Sequence, residues 1–175
     1  AVTQRTAIAV TSVDAVDPAA PGIGRYPLLY WRPSRPLTPA AAARLRGWLA
    51  AGGLLLIDPP PGGDAQSLRA ALAPLDPPPL EPLTRAHVLT RSFYRLELSP
   101  GGIAPAPVWV EAGTRGGDGR IARMVLGSAG WPAAFASPDP QAREGALRFG
   151  VNLMLYALTG DYKADRVHSA PVPPS

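Results

Sequence analysis

Thr38-Pro-Ala-Ala-Ala-Ala-Arg-Leu-Arg-Gly-Trp-Leu-Ala-Ala-Gly-Gly-Leu-Leu-Leu-Ile-Asp58 reads as a helix that stops and turns directly into a buried strand. Thr38 suits an N-cap, and Pro39 suits the first helical position, where its missing N–H costs nothing. Ala41, Leu45, Trp48 and Leu49 fall on one face at helical spacing, while Arg44 and Arg46 lie off that stripe. Gly52-Gly53 stops the helix. Leu54 to Ile57 then has no polar alternation, which is the pattern of a strand covered on both faces. Upstream, Pro27-Leu-Leu-Tyr-Trp31 is apolar in the same way. Strand, helix, strand is a right-handed crossover unit, and it predicts an α/β domain with a largely parallel sheet.

The remaining elements fit around that unit. Arg5 to Thr11 reads as another short strand, and Asp64 begins a weaker helix through Leu68, Leu72 and Leu75. Residues 87–98 alternate only in part and read as a turn leading into a strand. Pro107–Glu111 and Arg120–Leu126 read as strands joined by a Gly-rich, hairpin-like connection, residues 113–119, so an antiparallel portion is expected. A long helix is expected from Asp139 to Leu158, carrying Leu147, Val151, Met154, Leu155 and Leu158 as its main stripe and ending at Gly160. Residues 1–168 then form one domain, and 169–175 a flexible proline-rich tail.

Composition narrows the function classes. The 175 residues suit one domain with a sizeable core. Most of its 23 prolines cluster at 18–39, 59–82, 100–107 and 171–174, so the segments between them can pack. The net charge is +4, and all the basic residues but Lys163 are arginines. They form no run, so base composition explains them better than nucleic acid, and no nucleic-acid partner is expected. The absence of cysteine removes disulfides, thiolate nucleophiles and thiolate metal sites. No run of 18 apolar residues exists, so no direct membrane insertion is expected. Starting at Ala1 rather than Met, the chain reads as part of a longer one.

Several residues could still touch a ligand. Asp58 closes a buried strand and enters a Pro/Gly loop, the place where α/β sheets gather ligands. With Asp64 it could hold a cation or sugar hydroxyls; the competing reading makes both carboxylates caps for turn and helix amides. His87, Thr90, Arg91, Ser92 and Tyr94 form the densest polar cluster, able to move a proton or grip an anion. A loop anchored by Phe93 and Leu96 explains it as well. Gly127-Ser128-Ala129-Gly130-Trp131 follows a strand, where a nucleophile elbow would sit, but the first glycine of that pattern is Leu126. Trp131-Pro132 could instead stack on a ligand or plug the sheet. His168 lies far from His87 in sequence, no zinc motif exists, and no glycine loop completes a phosphate signature, so neither metal nor cofactor is expected. Asp58, Asp64, His87, Arg91, Tyr94, Ser128 and Trp131 therefore stand as ligand-binding candidates, and none as catalytic.

From about Tyr26 onward the chain resembles the bacterial family known as domain of unknown function 4159. The resemblance rests on Tyr26-Pro-Leu-Leu-Tyr-Trp31, Gly52-Gly53 with the strand to Asp58, and His87-Val-Leu-Thr-Arg-Ser-Phe-Tyr94. It continues in Val108-Trp-Val-Glu-Ala112, Gly127-Ser128 with Trp131, and Arg148-Phe-Gly-Val-Asn152 running to Lys163. It implies a flavodoxin-like, class I glutamine amidotransferase-like three-layer sandwich. It also implies the C-terminal part of a BatA-like, membrane-anchored protein of the periplasm or cell envelope. Partners would then be other domains of that parent or other envelope proteins. The amidotransferase chemistry needs a cysteine that this chain lacks. The expected function is thus a non-catalytic binding or interaction domain. The alternative is a degenerate hydrolase of glycans or amides using Asp58, His87 and Tyr94.

Overall fold

A computed structural model describes residues 5–6, 9–60, 62, 64–96, 108–114, 121–127 and 130–167, the last eight as backbone only. The strands are β1 (Leu28–Trp31), β2 (Leu54–Ile57), β3 (Leu80–Pro82), β4 (Val108–Glu111) and β5 (Met124–Gly127). The helices are α1 (Pro39–Ala50), α2 (Ala65–Leu72), α3 (Trp131–Phe135) and α4 (Pro140–Val167), with 3-10 turns at Ile23–Arg25, Ala73–Leu75 and Val88–Arg91. The chain is α/β.

The five strands form one mixed sheet in the order β1-β2-β5-β4-β3. β1 and β2 pair in parallel, with Leu28 opposite Leu54 and Trp31 opposite Ile57. β2 and β5 are parallel too, whereas β4 runs against both β5 and β3. Only β4 is reversed, so the sheet is mostly parallel with the expected antiparallel portion. The chain lays β1 on one side of β2 and β5 on the other, which puts a topological switch point at the carboxyl end of β2.

Alternation along β2 sends its side chains to two cores. Leu55 and Ile57 pack with Leu45, Trp48 and Leu49 of α1 and with Leu72 and Leu75. Leu54 and Leu56 pack on the opposite face with Trp131, Phe149, Leu153 and Tyr156. Helices thus cover both faces, a layering compatible with a three-layer sandwich, and all four β2 residues are buried. Thr38 caps α1 by accepting from the Ala41 amide at 3.2 Å. Gly53 is obligatory for a packing reason: a Cβ there would stand 2.0 Å from the Trp48 ring. That close approach lets the Trp48 indole donate to the Tyr26 carbonyl at 3.0 Å, tying α1 back to the segment before β1.

Three expectations need correction. Ala9 to Thr11 is irregular rather than strand; residues 7 and 8 of that stretch lie outside the described residues. Upstream of it, Arg5 bonds Glu144 of α4 through two hydrogen bonds of 2.8 and 2.6 Å. The 87–98 segment makes a 3-10 turn and then irregular chain as far as Leu96, held by α4 rather than by a neighbouring strand; residues 97–98 lie outside the described residues. And α4 runs through Gly160 to Val167, since one internal glycine weakens a helix by only about 1 kcal/mol. Arg120 and most of the 113–119 connection lie outside the described residues.

Candidate functional site

β2 delivers Asp58 to the switch point. Ile57 faces α1, so the next residue faces α3 and α4, and Asp58 is fully buried there. Four donors converge on it. Oδ2 accepts from the Tyr30 hydroxyl at 2.8 Å, the Arg32 guanidinium at 3.1 Å and the Trp131 amide at 3.2 Å. Oδ1 accepts from the Gly130 amide at 3.2 Å. Tyr30 lies on the same face of β1 as Leu28, one strand away, and Arg32 follows immediately after β1. Gly130, at φ +60°, turns the chain so that the first amides of α3 point at the carboxylate. Asp58 thereby satisfies donors that no α3 carbonyl can reach.

The electrostatics follow from that geometry. An unpaired buried carboxylate is strongly unfavourable, and Arg32 supplies the countercharge from a side chain 41% exposed. Burial pushes the Tyr30 hydroxyl up to about 12, and its hydrogen bond to Asp58 adds to the rise. Tyr30 therefore remains a donor throughout the physiological range. A carboxylate offers about four acceptor positions. Here four internal donors reach it.

The other candidates occupy separate places. Asp64 caps α2, accepting from the Ser67 amide at 2.8 Å and the Ser67 hydroxyl at 2.6 Å. Trp131 is fully buried and stacks on Phe149 with centroids 4.3 Å apart, its indole N–H unpartnered. Ser128 lies outside the described residues. His87, Arg91 and Tyr94 sit on the 3-10 segment, against α4. His87 is buried beside Tyr156, with ring centroids 5.8 Å apart. Arg91 is exposed. Tyr94 lies under the Arg148 guanidinium, 5.3 Å from its centroid.

Asp58 and Trp131 are thus brought together, and His87 is not with them. Tyr156, which packs on His87, accepts from the Ala122 amide at 2.7 Å, ahead of β5. Asp58 bonds Gly130, beyond the other end of β5. The two candidates stand at opposite ends of that strand.

Sequence reasoning passed over three residues of the same networks. Tyr30 and Arg32 complete the Asp58 cluster. Asn152, fully buried in α4, accepts from the amides of Phe93 and Tyr94 at 3.2 and 2.8 Å and donates to the carbonyls of Leu89 and Tyr94 at 2.8 Å. Its signal was present: one amide on the apolar stripe of a helix needs partners, and only irregular backbone offers both donors and acceptors. Among the described residues no group of three or more His, Asp or Glu side chains could hold a metal ion.

Residues 1–158 match the family described as domain of unknown function (DUF4159). The chain belongs to that family. The stretches that carry the DUF4159 resemblance coincide with the parts that build these networks: Tyr30 and Trp31, Asp58, residues 87–94, Trp131, and Arg148 to Tyr156. No curated protein matches the chain. No described helix is long and apolar enough to cross a membrane.

Proposed function

We propose that this DUF4159 domain is a non-catalytic binding and interaction module, on a flavodoxin-like sheet, within a longer membrane-anchored protein of the bacterial cell envelope. One observation carries the non-catalytic reading. At the switch point, where α/β domains present their reactive groups, the buried carboxylate of Asp58 is engaged by Tyr30, Arg32, Gly130 and Trp131. Its chemistry is that of a clasp. The mostly parallel sheet order and the two helical layers support the flavodoxin-like, amidotransferase-like assignment, while the lack of any cysteine separates the chain from amidotransferase chemistry. The envelope location rests on the resemblance to membrane-anchored, BatA-like parents, and the partners it implies are the parent's other domains or neighbouring envelope proteins.

Room for a small ligand exists away from the clasp. A cleft of about 360 Å3 has Pro27, Met154 and Leu158 among its apolar lining and Asp14, Arg25 and Tyr26 among its polar lining. Its size is that of a small-molecule pocket. The hydrolase alternative needs Asp58, His87 and Tyr94 around one substrate, and the separation of Asp58 from His87 along β5 supports the module over it.

Two measurements test the proposal. Purified chain is assayed against acyl amides and glycosides, with no turnover expected; turnover abolished by Asp58→Asn or His87→Asn overturns the non-catalytic reading. The full-length protein, tagged in this domain, is fractionated and its spheroplasts treated with protease. Sedimentation with membranes and digestion of the domain are expected. Recovery in the cytosolic fraction overturns the envelope location.

A further inference from the structure

The turn Val88–Arg91 is organised around one imidazole. His87 is its N-cap: Nδ1 accepts from the Leu89 amide at 3.1 Å, which places the ring proton on Nε2. The backbone folds around the same residue, with the His87 amide donating to Thr84 O at 3.0 Å and the Thr90 amide and hydroxyl donating to His87 O at 3.1 and 2.7 Å. The ring is 2% exposed, and Nε2 has no hydrogen-bond partner. Uncharged, the ring fits. Protonated, it fails twice, because Nδ1–H can no longer accept from Leu89 and a cation is left buried from water with no hydrogen-bond partner at Nε2.

We propose that His87 is an acid-release latch: protonation of Nδ1 removes the cap and frees residues 84–94 from α4 while the sheet stays folded. The groups facing the ring set its direction. Burial is the largest influence and holds the imidazole below its ordinary 6.5. The Thr114 backbone, near the ring but outside hydrogen-bonding geometry, and Glu81 on β3 pull the other way. Arg91 on the turn itself adds to the depression. From α4 the ring meets Tyr156, whose hydroxyl is pushed up to about 12 by burial and so carries no charge to compensate. The segment is bound to α4 by its own residues, through Leu89 in the core and through Asn152, and no strand ladder runs through it. Opening it therefore leaves β1 to β5 paired and uncovers Leu89 and the Asn152 amide.

With a depressed folded-state pKa, the contribution of neutral His87 is complete above 6.5 and is lost as pH falls below it. Amide hydrogen exchange, corrected for intrinsic rates, reads this out at Leu89 and, as a reference, at Val125 in β5. From pH 6.5 to pH 5 the Leu89 protection is expected to fall by up to about tenfold per pH unit and to stay well below that of Val125 at every pH, the mark of a local opening. In His87→Asn, whose amide oxygen can still cap but does not titrate, the Leu89 profile is expected to be flat. A flat wild-type profile, a Leu89 protection equal to that of Val125, or the same fall in His87→Asn overturns the latch. Should His87→Asn not fold, the imidazole Cε1 proton of the wild-type chain is titrated by NMR. A value below 6.5 supports the latch, and one at or above 6.5 overturns it.

Discussion

The Asp58 carboxylate accepts a hydrogen bond from the Trp131 amide at 3.2 Å across 73 residues of sequence. That bond, with its neighbour from Gly130, ties the end of β2 to the start of α3 and seats the Trp131 ring on Phe149. Asp58→Ala would leave two amides, a hydroxyl and a guanidinium without their acceptor. Breaking a buried ionic cluster from one side costs about 3–5 kcal/mol. Asp58→Asn keeps one oxygen but aims an NH2 at donors, and a loss of roughly 1–3 kcal/mol is expected. Urea denaturation with equal m-values should rank them wild type, Asn, Ala.

Asn152 does for the 87–94 segment what Asp58 does for α3. Replacing it with leucine fills the volume but strands the amides of Phe93 and Tyr94 and the carbonyls of Leu89 and Tyr94. A loss on the order of 3 kcal/mol is expected in urea. Hydrogen exchange should show the Tyr94 amide losing protection first.

Two glycines at either end of the same short stretch give an internal control. Gly47 lies on the exposed side of α1, and a Cβ added there would meet nothing within 4 Å, so Gly47→Ala should stabilise by roughly 0.5–1 kcal/mol. Gly53→Ala instead drives a methyl into the Trp48 ring and displaces it from the Tyr26 carbonyl. Overpacking of this kind destabilises by about 1–3 kcal/mol. Thermal melts should move in opposite directions.

Glu144 ties the Arg5 segment to α4. Its hydrogen bonds with Arg5, and then with Arg148, hold its carboxyl down to about 2 from an ordinary 4.5. A depressed folded-state value means that the ion pairs support the fold above pH 4.5 and lose that support as pH falls toward 2. Glu144→Gln should therefore flatten the acid limb of the stability curve in that window. Because the side chain is 37% exposed, the difference should shrink in high salt.

How much of this was legible in the sequence depends on the range of the interaction. The 38–58 stretch specified helix, stop and strand because each signal is local: a hydroxyl three residues from the amide it caps, a proline at the first turn, two glycines, four consecutive apolar residues. Asp64 is equally local, three residues from Ser67. The Arg5 to Thr11 stretch carries strand propensity, but Ala9 to Thr11 is irregular and Arg5 pairs with Glu144, 139 residues away, a contact no local pattern encodes.

The sequence by itself determined the α/β class, the crossover unit, the antiparallel return and the lack of thiol chemistry. Those rest on periodicity, caps and composition, which are properties of neighbours along the chain. The tertiary structure alone decided that Asp58 is a clasp for Tyr30, Arg32 and the start of α3. It alone set His87 at the other end of β5, and it alone made Asn152 the anchor of an irregular segment. A buried polar group takes its meaning from whichever donors and acceptors the packing of distant elements brings within about 3 Å, and no local pattern encodes that distance.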